Sequence, residues 1–261
     1  MGSAVLRRQF ESILGGPLEW QVRPAPEMVR TGVHEVDAAT GGLPRGCLTE
    51  IHGAASSGRT SLLLSILGEA TGREEVCGLV DAEDAFDPIC GAAAGMRLHR
   101  LLWVRCAHNA EQALKAADLL IQGGGFGLVA MDLGDTPPET ARRISLTSWF
   151  RLRRAVEHTP TVLLALARQS NAKTCASLTL ECRPHAGVRV VPFSGRGPGR
   201  LLRGMRVQVT RRKPGQAVTA VFGCGDVAQA LAPVLALSQP RTRVEMSLET
   251  AGMNARATSE V

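Results

Sequence analysis

The chain has 261 residues, 44% of them hydrophobic and 21% charged, which fits one α/β domain with short appendages. Thirty basic residues against 24 acidic ones give a net charge of +6, and arginine dominates, since only Lys115, Lys173 and Lys213 are lysines. No run of about 18 apolar residues occurs, so no membrane span is expected, and seven cysteines without a C-x-x-C pair read as reduced thiols of a cytoplasmic protein rather than a disulfide framework.

Residues 1–28 place Val5, Leu6, Phe10, Ile13 and Leu14 at helical spacing and are expected to form an N-terminal helical segment. Their start matches neither a secretory signal nor a myristoylation pattern. A core is expected over residues 29–237. In it "CLTEIHG" reads as a strand, "TSLLLSILGEATG" as a helix ended by Gly72, "VCGLVDAE" as a strand, "FDPICGAAAG" as a short helix and "LLWVRC" as a strand. "NAEQALKAADLLIQGGG" is a helix with Asn109 as its N-cap and a glycine stop. "GLVAMDLGD" follows as a buried strand, "PPETARRISLTSWFRLRRAVEH" as one helix opened by prolines, and "TVLLALA" as another buried strand. Nearly continuous apolar strands separated by helices predict an α/β fold with a parallel sheet covered on both faces. Beyond it "SLTLECRP", "VRVVPF", "MRVQVTRRK" and "QAVTAVFGC" alternate apolar and polar residues, which predicts an antiparallel extension, with residues 194–204 as a basic loop. Residues 238–261 have little apolar content and read as a disordered tail.

One stretch carries chemistry. "GAASSGRTS", residues 53–61, lies between a strand and a helix and has the G-x-x-x-x-G spacing of a phosphate-binding loop. Gly53 and Gly58 let successive amides, through Ser56 and Ser57, face one anion at the positive end of a helix. Thr60 would complete the shell of a magnesium ion, with Ser61 beside it. The position that wants lysine holds Arg59, whose planar fork keeps the charge but needs a different approach. Losing one well-placed transition-state donor costs about 3 kcal/mol, so fast hydrolysis is not expected.

The sequence "VDAATGGLPRGCLTEIHGAASSGRTSLLL", with "LVDAEDAFDP" and "VAMDLGD" after it, resembles the core of RecA-type recombinases over roughly residues 33 to 225. The resemblance implies a RecA-like core, ATP and Mg2+ as cofactors, and roles for particular residues. Glu83 would orient the attacking water, and Asp87 would face the adenine. Asp132 would steady the metal, and Gln169 would sense the terminal phosphate. It also marks departures. Cys90 stands in place of the tyrosine that stacks on adenine, and a lost stack is worth about 1–3 kcal/mol. The two DNA-binding loops look curtailed, and Thr174 replaces an interface phenylalanine. With these losses the chain is most similar to ImuA-type accessory proteins of the bacterial SOS translesion mutasome, a degenerate branch of the superfamily.

Nine cations and no acid fall between Cys182 and Gly225, among them Arg196, Arg200, Arg203, Arg211, Arg212 and Lys213. A solvated face, non-specific contact with single-stranded DNA, and docking of an acidic partner all fit that run. The expected function is an accessory or interaction protein of the DNA damage response and translesion synthesis, with weak or absent ATP hydrolysis. Its implied partners are a Y-family polymerase-like subunit, an error-prone replicative-type polymerase and the RecA recombinase. The alternative is a DNA-dependent ATPase acting in homologous recombination.

Overall fold

Strands that are apolar at every second position can face one core, whereas those apolar throughout must be covered on both sides. The central strands here are of the second kind. In the computed structural model, which describes residues 25–192, 200–215 and 217–223, β1 (Met28–Val29) and β2 (Leu43–Pro44) form a small antiparallel pair beside the helix α1 (His34–Thr40). The main sheet comprises β3 (Leu48–His52), β4 (Cys77–Asp81), β5 (Leu101–Arg105), β6 (Leu128–Leu133), β7 (Val162–Ala167), β8 (Leu178–Pro192), β9 (Arg200–Lys213) and β10 (Val218–Gly223). Its order is β10-β9-β8-β3-β7-β6-β4-β5. From β8 to β5 all neighbours are parallel, and β9 and β10 join antiparallel at the β8 end. The expected α/β architecture with an antiparallel extension is therefore present.

The two faces have separate cores. On one, α2 (Arg59–Gly72) buries Leu62, Leu63, Ile66 and Leu67 against Ile51, Leu79, Ala130 and Leu164. On the other, α4 (Ala110–Gly123) and α6 (Leu146–Val156) bury Ala113, Ala117, Trp149 and Leu152 against Val80, Val129, Met131 and Leu163. Each large aliphatic side chain so covered contributes about 1.5–3 kcal/mol relative to exposure. Asn109 caps α4 as expected, its side chain accepting from the amides of Glu111 and Gln112 at 3.0 Å.

Three details differ from the sequence reading. The proline-opened helix is two: α5 (Pro138–Arg142) ends at Arg143, and Ser145 adopts an extended backbone and accepts from Ser148 N at 3.1 Å, starting α6 afresh. "SLTLECRP" and "VRVVPF" are one strand, β8, because bulges around His185 to Val190 absorb the irregular Pro-His-Ala-Gly stretch without ending the pairing. Part of the anticipated loop, from Arg200 onward, is strand β9, paired back to Pro192. Of the helical segment expected at residues 1–28, residues 1–24 lie outside the described residues and Met28 belongs to β1; the tail expected at residues 238–261 also lies outside them.

Candidate functional site

The site forms at the carboxyl ends of the parallel strands, where open α/β sheets leave a crevice. β3 ends at His52 and the chain turns through Gly53 to Gly58 into α2. Ser56 (φ 58°) and Gly58 (φ 86°) are both left-handed, which folds the amides inward. The amides of Ser56, Gly58, Arg59 and Thr60 have no acceptor among the described residues, and the N-terminus of a fourteen-residue helix lies directly beneath them. Open amides at a helix start are the kind of arrangement that can hold an anion. Two close approaches require the glycines of the loop. A Cβ on Gly53 would overlap Ser57 and meet the carbonyl of Cys182, and one on Gly58 would overlap the Val207 side chain of β9.

Arg59 is only 5% exposed. Its Nη1 donates to Gly53 O at 2.6 Å, and its Nη2 donates to Gly134 O at 2.6 Å and to Asp135 Oδ1 at 3.0 Å. The fork thus staples the first residue of the loop to the turn after β6. Its Nε is buried without an acceptor, as is the hydroxyl of Ser57 inside the loop. Thr60 is exposed at the first turn of α2 with Ser61 next to it.

Asp132, near the end of β6, accepts from Gly134 N at 2.7 Å and lies in register with Asp81 of β4. Burial pushes its carboxyl up to about 6, although the Gly134 amide and Arg59 pull the other way. The ionised form is therefore disfavoured in the folded state. Below about pH 4 this group costs no stability, and the cost grows as pH rises to about 6 and stays above it, reaching about 2–3 kcal/mol. Asp132→Asn is expected to raise the melting temperature near neutral pH and to leave it unchanged near pH 4. Equal shifts at both values would contradict the burial argument.

Glu83 lies two residues past the end of β4, the strand that pairs with β6. Its Oε1 accepts from the Thr136 hydroxyl at 2.8 Å, and its Oε2 meets His108 Nδ1 at 2.7 Å. That bond holds the exposed His108 above the usual imidazole range. Asp87 caps α3 (Pro88–Ala93), accepting from Ile89 N at 2.9 Å and from the Cys90 thiol at 3.1 Å, so both of its oxygens have local donors. Gln169 follows β7 and lines a cleft of about 350 Å³ with His52, Gly53, Ala54, Arg168 and Glu181, but its amide oxygen is held by Arg142 Nη2 at 2.6 Å.

The basic strand is partly neutralised from within. Arg212 and Arg183 both pair with Glu181, at 2.5 and 2.6 Å. Lys213 Nζ donates to the carbonyls of Ala176 and Thr174 at 2.6 and 3.2 Å. Arg211 has its Nε buried without an acceptor. Arg200 and Arg203 lie on β9, with side chains outside the described part, and Arg196 lies outside the described residues altogether.

The sequence reading missed Glu50. Fully buried on β3, its Oε1 accepts from the amides of Asn171 and Ala172 at 2.5 and 2.8 Å, and its Oε2 from the Ser170 hydroxyl at 2.6 Å. It ties down the connection that follows Gln169. A lone acid in the apolar strand "CLTEIHG" was the available signal.

The fold is thus a mainly parallel α/β sheet with the spacing of a phosphate loop between β3 and α2. Among known families, the RecA N-terminal domain matches residues 15–136. Protein RecA of Laribacter hongkongensis is 38% identical over 116 residues, 44% of this chain and 32% of that protein. Protein RecA of Ectopseudomonas oleovorans is 41% identical over 110 residues, 41% and 31% of the two chains, and that of Deinococcus radiodurans 40% over 108 residues, 41% and 30%. The matched region spans about a third of the length of these relatives. The similarity to the RecA N-terminal domain thus covers residues 15–136, less than half of the chain. Among the described residues no helix is long and apolar enough to cross a membrane.

Proposed function

We propose that the chain is an accessory protein of the ImuA type, acting in the DNA damage response by holding repair polymerases together rather than by consuming ATP. The observation that carries this is the inward fold of Arg59. A charged hydrogen bond is worth about 1.5–3 kcal/mol, so withdrawing the fork from Gly53 O and Gly134 O opposes phosphate binding by about 3 kcal/mol or more. Glu83 is held by two neighbours and Gln169 by Arg142, so the groups that would act on water and sense phosphate have other bonds to give up.

A magnesium nucleotide still fits the open amides, with Thr60 and the half-buried carboxyl of Asp132 as the residues that would hold the metal. Such an ion would neutralise phosphate charge, and the same amides would orient the phosphates. This favours a second reading, a DNA-dependent ATPase of recombination, in which Arg59 swings outward.

Turnover separates the two. The full chain is expected to hydrolyse ATP at least about a hundredfold more slowly than an active recombinase, with or without single-stranded DNA, and Arg59→Lys is not expected to restore it. Strong stimulation by DNA, or a large rise in turnover in the lysine variant, would favour the second reading.

A further inference from the structure

A second cleft, of about 290 Å³, lies between the start of α6 and the connection after β7 and shares Ser170 with the first. Its apolar lining is Ala141, Ile144 and Leu146, and its rim is Arg142, Lys173 and Asn171. No carboxylate lines it. Leu146 is 44% exposed and Phe150, one turn further along the same helix, is 42% exposed. Two large apolar side chains at i, i+4 form a stripe that continues from the cleft.

The charges around this stripe are largely unspent. Arg142 meets only the neutral amide oxygen of Gln169, and Arg143, Arg154 and Lys173 have no acidic partner among the described residues. Arg151 and Arg153, by contrast, pair with Asp118 and Glu157. The cleft is also braced. Glu50 pins Ser170, Asn171 and Ala172 from below, and Ser145 caps α6, so a ligand meets a preformed surface and spends less on ordering it.

We propose that this cleft docks an acidic peptide segment of a protein partner, which inserts one aliphatic or aromatic side chain against Ile144 and Leu146, lays a second along Phe150, and sets carboxylates against Lys173, Arg142 and Arg143. Nucleic acid suits the surface less well. The cleft lining is aliphatic and Phe150 is a single aromatic beside it, whereas sequence-blind binding of single strands uses several exposed aromatic faces on which successive bases stack. A buried apolar anchor with a charged rim is the arrangement by which a helix or extended segment is recognised. The proposal rests on the reading of the chain as an interaction protein, but it does not depend on whether the phosphate loop turns over nucleotide.

The test is to pan a random peptide library on the full-length protein and, in parallel, on Leu146→Ser/Phe150→Ser and on Lys173→Glu. All three sites are exposed, and melting curves check that the variants fold. Enriched peptides are expected to combine Asp or Glu with Leu, Ile, Met or Phe. A selected peptide, made synthetically, is expected to bind at least about tenfold more weakly to each variant. A poly-dT oligonucleotide is expected not to displace it. Absence of enrichment over the variants, selection of non-acidic peptides, or binding unchanged by both variants overturns the proposal. Displacement by poly-dT with the same dependence on Leu146 and Lys173 would assign the cleft to nucleic acid and also overturn it. Because hydrolysis is measured separately, failure here leaves the reading of Arg59 standing, and an active ATPase would leave this cleft to be judged on its own result.

Discussion

Gly58→Val is expected to lower stability by about 3 kcal/mol or more, one of the two largest single-residue effects anticipated for this chain. Two costs add. The residue sits at φ 86°, where a β-branched side chain is strained. The new Cβ would also overlap Val207 of β9, a core side chain with no exposed surface. Urea or thermal unfolding measures the loss. Gly58→Ala is expected to show a smaller loss, part of which Val207→Ala returns, since the overlap is removed and the strain is not. An unchanged melting temperature in Gly58→Val would mean that β9 does not press on the loop. The point bears on interpretation, because loss of nucleotide binding in such a variant reports the hairpin as well as the loop amides.

Glu50→Ala is the second. Removing the carboxylate strands the buried amide of Ala172 and the half-buried amide of Asn171, releases the Ser170 hydroxyl and leaves a cavity in the core; an unsatisfied buried group alone costs about 1–3 kcal/mol. A loss of about 3 kcal/mol or more is expected, with faster amide exchange at Asn171 and Ala172 as the local signature. Glu50→Gln is expected to fall between, since its carbonyl oxygen still accepts while its NH2 group faces donors or the Ser170 hydroxyl. If exchange at Asn171 and Ala172 stays slow in Glu50→Ala, the carboxylate is not what holds this connection.

The parallel half of the sheet was legible because burial on both faces leaves near-continuous apolar strands, as in "GLVAMDLGD" and "TVLLALA". The Asn109 cap was legible because capping is a local exchange of hydrogen bonds. The break between α5 and α6 was not, since apolar residues keep helical spacing through Ile144 and only the extended backbone of Ser145 resets the helix. Nor was the length of β8, where bulges let irregular residues stay within a ladder. At the site, spacing found the loop but not the direction of Arg59, which is fixed by carbonyls at Gly53 and Gly134, 6 and 75 residues away in the chain. The basic run between Cys182 and Gly225 looked like one surface. Glu181 lies one residue outside that window, yet its side chain pairs with Arg183 on β8 and with Arg212 on β9, taking up two of the cations.

The antiparallel extension makes contacts at two places along β8. Val207 bears on Gly58, and Lys213 grips the backbone at Thr174 and Ala176, just past the connection that Glu50 secures. The β8–β9 ribbon is therefore in contact both with the loop at Gly58 and with the backbone just past Lys173 of the second cleft. Geometrically the ribbon has two points of purchase.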